Sequence, residues 1–296
     1  KGDAVVRSGD MGESGLVNLI SETMSCISMV IAPIFDPSVG DKMRVGLFIS
    51  GSGTNGLRII EKSKEEGSNF VVNLIFSDIR DTRTRKSGSK MSRAKEIAEK
   101  FGIAYECVDI RDFYKERGLK RTDLSIRPDF DKLVLQRLRG HVIDLFVNAG
   151  YMSIMTPVLL GEYEGKIVNV HPADLSIMDG DTRKYVGIHV VEEAILSGET
   201  SINSTTHVVR EEVDGGEMLV ISAPVPVKLD VSIAKLAEDK KLRKVIVSEH
   251  QTKLKEAGDW IVLPMTVQMI SEGRFSLGEN GVYLDGKPVP FGCRLG

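Results

Sequence analysis

The sequence has few cysteines and no long apolar run. Its 296 residues include only three cysteines, Cys26, Cys107 and Cys293, which lie far apart along the chain. Three scattered cysteines exclude a disulfide framework and a cysteine-based metal knuckle, and they favour a reducing, cytoplasmic setting. No stretch reaches ~18 consecutive apolar residues, the length that a membrane-spanning helix needs, so we expect no membrane partner.

A strong charge of either sign is also missing. The chain has 39 lysines and arginines against 42 aspartates and glutamates, which gives a formal net charge of −3. Nucleic-acid-binding proteins usually carry a large positive excess, so we expect no nucleic-acid partner. Hydrophobic residues make up 42% of the sequence, which excludes the composition of a disordered chain. The sequence is therefore that of a folded globular protein.

From Met43 onward, short apolar runs alternate with amphipathic segments. The pattern predicts strands at 44–50, 71–76, 104–108, 142–147 and 166–170, and helices at 55–63, 92–101 and 129–138. Such alternation is typical of β-α-β units. We therefore expect an α/β fold, in which an open, mainly parallel twisted sheet carries helices on both faces.

The pattern is less regular in the second half of the chain. It predicts helices at 186–196 and 235–256, and strands at 201–209, 218–225, 274–277 and 281–284. An acidic turn joins the strands at 201–209 and 218–225, and such a connection is typical of a hairpin. We therefore expect antiparallel additions to the sheet in the C-terminal half.

The first 42 residues differ in pattern from the rest. Within them, residues 27–33 fit either a strand or a short helix. Acidic residues dilute the basic start that a signal peptide needs, so we expect none. The sequence predicts an N-terminal extension of unknown role at 1–42 and a single domain at 43–296, with halves at 43–165 and 166–296.

A glycine-rich turn follows the first predicted strand. Gly51, Gly53 and Gly56 satisfy the pattern G-x-G-x-x-G at the start of a helix, where free N–H groups favour an anion such as phosphate. Asp78, at the end of the second strand, lies where a ribose-binding acid would lie in a dinucleotide site. A dinucleotide, a small phosphorylated ligand and a plain tight turn all remain open, whereas a P-loop is excluded because the lysine is missing.

Polar side chains also end a later strand. Strand alternation places Asn169 and His171 on the same side, at the sheet edge where α/β proteins bind ligands. Further on, His207 and Asp214 precede two glycines, and an aspartate near a histidine orients the imidazole and raises its pKa. A structural histidine and an ordinary Asp-Gly turn remain as alternatives. The five histidines show no H-x-x-x-H spacing, so we expect no metal.

Taken in order, these segments resemble the phosphoribosylglycinamide formyltransferase family of folate-dependent enzymes. The matching segments are 44–55, 149–157, 167–172, 207–216 and 279–286. The resemblance implies a Rossmann-like transferase of purine biosynthesis. Such an enzyme passes the formyl group of 10-formyltetrahydrofolate to the amine of glycinamide ribonucleotide by direct amine attack. The 43–165 half would then bind the substrate phosphate, and the 166–296 half would be catalytic and bind the folate.

By the same resemblance, Asn169, His171 and Asp214 form a catalytic trio. The attack of an amine on a formyl carbon builds negative charge on oxygen, which Asn169 and a protonated His171 would stabilise. We expect Asp214 to keep His171 charged and oriented, while a water relays the proton from the amine to the folate nitrogen.

The resemblance also assigns binding residues. Gly53, Thr54 and Asn55 would hold the substrate phosphate, and Glu249 would contact the amine or the ribose of the substrate. Met152, Ser153, Met155 and Arg127 would lie on the folate side, together with the 211–216 loop.

Two departures from the family pattern bear on the acceptor and on the folate. Segment 172–186 contains several added residues, and we expect it to reshape the acceptor pocket through Asp174, Asp179, Asp181 and Arg183. Ser153 stands where the family usually has arginine, and we expect this loss to loosen the selectivity for the folate. A related folate-dependent formyltransferase with a different amine acceptor and a non-catalytic ligand-binding homologue therefore stay as alternatives. An NAD-dependent oxidoreductase rests on the glycine pattern and Asp78 alone. The resemblance leaves a homodimer open.

Overall fold

The computed structural model describes residues 31–296, so Cys26 and most of the predicted extension lie outside the described residues. Its strands are β1 (Ala32–Pro33), β2 (Met43–Phe48), β3 (Phe70–Ser77), β4 (Ala104–Cys107), β5 (Leu145–Asn148), β6 (Ile167–His171), β7 (Met178–Asp179), β8 (Thr182–Arg183), β9 (Ser201–Ile202), β10 (Thr205–Val208), β11 (Met218–Ile221), β12 (Val225–Pro226), β13 (Phe275–Gly278), β14 (Gly281–Leu284), β15 (Lys287–Pro288) and β16 (Cys293–Arg294).

Eight of these strands form the central sheet, in the order β16-β11-β10-β6-β5-β2-β3-β4. Strands β2 to β6 run parallel to one another, which confirms the predicted parallel sheet. Strand β10 joins β6 in the antiparallel sense, and β11 joins β10 in the same way, as expected for the C-terminal half. The carboxyl ends of β2, β5 and β6 therefore meet at one edge of the sheet.

Helices cover both faces of the sheet, as predicted. They are α1 (Thr54–Ser63), α2 (Ala94–Phe101), α3 (Ile110–Glu116), α4 (Arg127–Leu138), α5 (Pro157–Glu162), α6 (Val190–Leu196), α7 (Ile233–Glu238), α8 (Lys240–Leu254) and α9 (Trp260–Ser271). Apolar residues of α1, α2 and α9 form one buried cluster with the sheet. Those of α3, α4 and α5 form a second cluster, to which Phe48, Phe76 and Phe146 belong.

Some elements differ from the sequence prediction. The pattern gave no helix at Trp260–Ser271, because this helix is apolar on nearly all sides and has no 3.6-residue period to detect. The predicted helix at 235–256 is interrupted at Asp239, whose side chain caps the start of α8. A one-turn π-helix, Lys255–Asp259, then joins α8 to α9.

The end of the predicted extension pairs with the C-terminal part of the chain. Strand β1 lies antiparallel to β13, in a small sheet with β14 and β15. This pairing fixes the segment that leads into β2, so Ala32 and Pro33 belong to the folded body. Among residues 31–296, no helix combines the length and the apolar character that a membrane span requires.

Candidate functional site

The predicted pair on β6 lies beside a third side chain on the neighbouring strand. In the antiparallel register of β6 and β10, Asn169 lies opposite His207. The Nδ2 atom of Asn169 is 3.1 Å from Nε2 of His207. The Nδ1–H of His207 donates to the carbonyl of Val208 at 2.8 Å, which leaves Nε2 free to accept a hydrogen bond from Asn169. His207 thus fixes the orientation of the Asn169 amide, a role that the sequence alone left undecided.

Asp214 reaches both histidines from the turn between β10 and β11. Its Oδ2 lies 3.3 Å from Nδ1 of His171, and its Oδ1 lies 3.5 Å from Nε2 of His207. Asp214 has a φ of 54°, in the left-handed region that side chains disfavour. Only glycine fits at position 216, because a Cβ there would lie 1.8 Å from the carbonyl oxygen of Val208. The glycines therefore let the turn fold back over the strand end and bring the carboxylate to His171.

His171 is almost fully buried, at 3% exposure, and has an acceptor beside each ring nitrogen. Nδ1 faces Asp214, and Nε2 lies 3.0 Å from the carbonyl oxygen of Tyr185. Both contacts are hydrogen bonds only when the ring carries two protons. Burial nevertheless lowers the pKa of His171, although the charge of Asp214 opposes this. Burial thus favours a neutral ring that can accept a proton, whereas the two acceptors favour the charged ring, so the expectation that Asp214 keeps His171 charged stays a prediction.

The glycine turn forms the second part of the site. Gly53 has a φ of 69° and precedes α1, and no side chain caps this helix start. Its N–H groups are therefore free of the usual capping oxygen. Of the predicted phosphate-binding residues, Thr54 is partly exposed, whereas the Asn55 side chain is buried. Its Nδ2 atom donates to Oδ2 of Asp259 at 3.2 Å.

Asp259 is a site residue that the sequence did not reveal. Its carboxylate accepts from Asn55 and, at 2.6 Å, from the hydroxyl of Ser204. Burial raises the pKa of Asp259, and these two hydrogen bonds only partly offset the effect. The π-helical turn places the carboxylate there, and Gly258 allows the approach, since a Cβ on it would lie 2.5 Å from the Ser204 hydroxyl. No sequence motif marks a residue brought into place by such a turn.

Glu249 lies elsewhere. It is exposed on α8, and its carboxylate takes part in none of the side-chain hydrogen bonds or ion pairs found among residues 31–296. The acid that meets the glycine turn is Asp259.

The segment after β5 contains the predicted folate-side residues, and hydrogen bonds to a buried carboxylate hold it in place. Met152 is 70% exposed, whereas Met155 is 7% exposed and belongs to the apolar core. The Ser153 hydroxyl donates to Asp78, and the Ser50 hydroxyl donates to the other carboxylate oxygen at 2.6 Å. Asp78 is 2% exposed, so it is unavailable to a ribose. This placement argues against the dinucleotide interpretation.

Arg127 supports the same segment instead of facing solvent. Its guanidinium is 2% exposed and donates from Nε to the carbonyl of Ile154 at 2.6 Å. It also lies 3.7 Å from the carboxylate of Asp131 and stacks on the ring of Phe130. Arg127 therefore supports the segment after β5 from its buried side.

The added residues after β6 form a hairpin over the His171–Asp214 pair. Strands β7 and β8 pair in it, and the hairpin continues to Gly187. The N–H of Gly187 donates to Oδ2 of Asp214 at 2.9 Å. Arg183 donates to the carbonyls of Asp214 and Gly216. The sequence indicated that Arg183 could reshape the acceptor pocket, but the family pattern has no counterpart for it and assigns it no contact.

No group of three or more histidine, cysteine, aspartate or glutamate side chains within residues 31–296 is arranged to hold a metal ion.

The chain is similar to several known proteins. The chain is 27% identical over 248 residues to the phosphoribosylglycinamide formyltransferase of Escherichia coli (strain K12), over 84% of this chain and 96% of that protein. It is 34% identical over 170 residues to the Haemophilus influenzae protein of the same name, over 57% of this chain and 69% of that protein. It spans only 19% of the Homo sapiens trifunctional purine biosynthetic protein adenosine-3, with 28% identity over 240 residues.

Among solved structures, glycinamide ribonucleotide transformylase 1 from Symbiobacterium toebii has a TM-score of 0.59 at 25% sequence identity. The superposition covers 82% of this chain and 94% of that chain. The family model described as formyl transferase matches residues 43–252, a segment that contains the glycine turn, Asn169, His171 and Asp214. The family indicated by the sequence motifs is therefore confirmed: the chain belongs to the formyl transferase family.

Proposed function

We propose that this enzyme transfers the formyl group of 10-formyltetrahydrofolate to the amine of glycinamide ribonucleotide, as a step of purine biosynthesis. The observation that carries the proposal is the convergence of Asn169, His171 and Asp214 at one sheet edge. The Asn169 amide is fixed by His207, and the imidazole of His171 lies between two acceptors. The names of the similar proteins from Escherichia coli and Haemophilus influenzae support the choice of acceptor.

The chemistry follows from these contacts. The amine attacks the formyl carbon, and negative charge develops on the formyl oxygen. One N–H of the Asn169 amide is held by His207, so the other is available to that oxygen, and such a donor commonly contributes about 2.7–4 kcal/mol to transition-state stabilisation. The neutral His171 takes up the amine proton through a water, and the resulting imidazolium has Asp214 and the Tyr185 carbonyl as acceptors. The water then returns the proton to the folate nitrogen as the carbon–nitrogen bond to the folate breaks.

On the acceptor side, the phosphate would rest on Gly53, Thr54 and Asn55, at the uncapped start of α1. We assign to Asp259 the acidic contact that the resemblance places at Glu249. The Asp259 carboxylate adjoins Asn55, and a carboxylate oxygen can accept a hydrogen bond from a ribose hydroxyl or from the amine.

On the donor side, the folate would lie against Met152 and Ser153, with the 211–216 loop opposite. Met152 offers an exposed apolar surface. This segment is held in place on its buried side by Asp78, Met155 and Arg127. No arginine replaces the one that the family usually has at position 153, so the folate tail is held by fewer charges on this side.

The test is a turnover assay with purified protein, 10-formyltetrahydrofolate and glycinamide ribonucleotide, followed by the absorbance change of the folate. We expect turnover that saturates with both substrates. Glycinamide riboside, which lacks the phosphate, serves as the matched acceptor and is expected to show a much higher KM. Folate binding without turnover would contradict the proposed acceptor, and a lack of folate binding would contradict the proposed donor.

The hairpin over the catalytic pair favours one alternative, a related formyltransferase with another amine acceptor. If glycinamide ribonucleotide gives no turnover while other small amines do, this alternative replaces the proposal. The cytoplasmic setting and the homodimer stay predictions.

A further inference from the structure

The hairpin of residues 177–187 brings a basic side chain to the centre of the proposed active site. We propose that Arg183 is a positioning residue for formyl transfer, whose guanidinium holds the Asp214 turn so that the carboxylate faces His171. The inference rests on the proposed function for its kinetic part only. It assigns a role to the segment that distinguishes this chain from the family pattern.

The hydrogen bonds of Arg183 support this role. Nη1 donates to the carbonyl of Asp214, and Nη2 donates to the carbonyl of Gly216 at 2.8 Å. The two bonds span the turn in which Asp214 has a φ of 54°. A left-handed conformation is unfavourable for a residue with a side chain, so it persists only where neighbouring groups hold it. The planar guanidinium is suited to bind two carbonyls at once.

The hairpin itself is anchored, so Arg183 has a fixed point from which to act. Strand β8, which ends at Arg183, pairs with β7, and the N–H of Lys184 donates to the carbonyl of Ile177 at 2.9 Å. Tyr185 is 3% exposed, and its hydroxyl donates to Glu199 at 2.7 Å. A side chain on a rigid element positions its partner more accurately than one on a loose loop.

Arg183 also carries a charge close to the reacting imidazole. Three charged or titratable groups face His171: Asp214 from the turn, His207 from β10, and Arg183 from the hairpin. Burial is the main cause of the lowered pKa of His171; Asp214 raises this pKa, whereas His207 and Arg183 lower it further. Loss of the Arg183 charge by itself raises the pKa of His171, whereas displacement of the Asp214 carboxylate lowers it. A variant that keeps the charge but releases the turn therefore moves the acidic limb of the activity profile to lower pH.

Two substitutions separate the charge from the hydrogen bonds. Arg183→Gln removes the charge and the paired bonds, whereas Arg183→Lys keeps the charge but cannot bind both carbonyls in the same way. For Arg183→Gln we expect a loss in kcat on the order of 10²-fold, the usual effect of a misplaced catalytic group, with KM for the acceptor little changed. For Arg183→Lys we expect a reduced kcat with the acidic limb at lower pH than in wild type, because the charge stays while the Asp214 carboxylate is displaced. Arg274→Gln, which breaks a remote bidentate pair with Asp285, is the matched control and should match wild type.

A second measurement needs no substrate. The NMR titration of His171 should shift to lower pH in Arg183→Lys, and the amide of Gly187, which donates to Asp214, should exchange its hydrogen faster in both variants. A wild-type His171 titration in Arg183→Lys together with wild-type Gly187 exchange in Arg183→Gln overturns the inference, as does a wild-type kcat in Arg183→Gln. If the wild-type enzyme shows no formyl transfer, the proposed function fails, and the two NMR measurements still decide the role of Arg183.

Discussion

The buried carboxyl of Asp259 allows a sharp test of how the acceptor side is built. Asp259→Ala removes the acceptor of two hydrogen bonds, from Ser204 and from Asn55, which are 0% and 7% exposed. A buried donor without a partner costs about 1–3 kcal/mol, so two such donors predict a loss of about 2–6 kcal/mol in the free energy of unfolding. Asp259→Asn keeps the shape and one acceptor oxygen, and it should lose clearly less.

The pH dependence gives this prediction a sign. Burial raises the pKa of Asp259 above 3.8 in the folded protein, so the folded state holds the proton more tightly than the unfolded state. The contribution of Asp259 to the free energy of unfolding is therefore fully present below its unfolded pKa. This contribution is lost as the pH rises through the folded pKa. Asp259→Asn has no such proton, so its stability relative to wild type should rise over the same interval.

The assay is urea unfolding from about pH 4 to about pH 8, followed by the fluorescence of Trp260, the single tryptophan of the chain. Asp285→Asn is the control, and we expect the opposite pH dependence of stability from it. In the wild type, a hydrogen bond from Arg274 lowers the pKa of the exposed Asp285 carboxyl. Equal stability of Asp259→Asn and Asp259→Ala would refute the reasoning. A pH-independent difference between Asp259→Asn and wild type would refute it as well.

Three further predictions concern the remaining parts of the site. Gly53→Ala places a Cβ 2.4 Å from the Ile97 side chain at a positive φ, and it should lower stability by about 1–2 kcal/mol in thermal unfolding. Gly67→Ala also has a positive φ, but no atom lies near its added Cβ, so this control measures the backbone strain without the side-chain contact. His207→Leu removes the acceptor of the Asn169 amide and should lower kcat roughly tenfold in steady-state kinetics, while His207→Gln should retain more activity. Asp78→Ala frees the Ser50 and Ser153 hydroxyls and should raise Kd for the folate roughly tenfold in calorimetry, and unchanged affinity would show that the segment needs no anchor.

The parallel sheet could be predicted because it depends on short-range patterns. Strand alternation also places Asn169 and His171 on one side of β6. Their meeting with Asp214 was implied by the family resemblance: β10 runs antiparallel to β6, so the turn leaves β10 beside Val168, at the start of β6, and has to fold back to reach His171. The direction in which the pKa of His171 shifts could not be predicted, since it depends on how far the ring is buried and not on its neighbours in sequence.

Asp259 and Arg183 could not be predicted for a different reason. Asp259 meets Asn55 across more than half of the chain, through a π-helical turn that no residue pattern marks. Arg183 lies in a hairpin that is added to the family pattern, so its expected place at the acceptor pocket came without any contact, and its hydrogen bonds to the Asp214 turn could not be predicted. The expected substrate contact of Glu249 was based on a short match of letters and stays a prediction.

The most direct test of the central claim is the kcat of formyl transfer in Asp214→Asn, measured beside Asn169→Ala and wild type with saturating 10-formyltetrahydrofolate and glycinamide ribonucleotide. We predict a loss of roughly 10²-fold or more in each variant, with folate binding retained, because each change removes a group that acts mainly in the transition state. Activity within about twofold of wild type in Asp214→Asn would contradict the account, since the carboxylate would then have no part in the proton transfer.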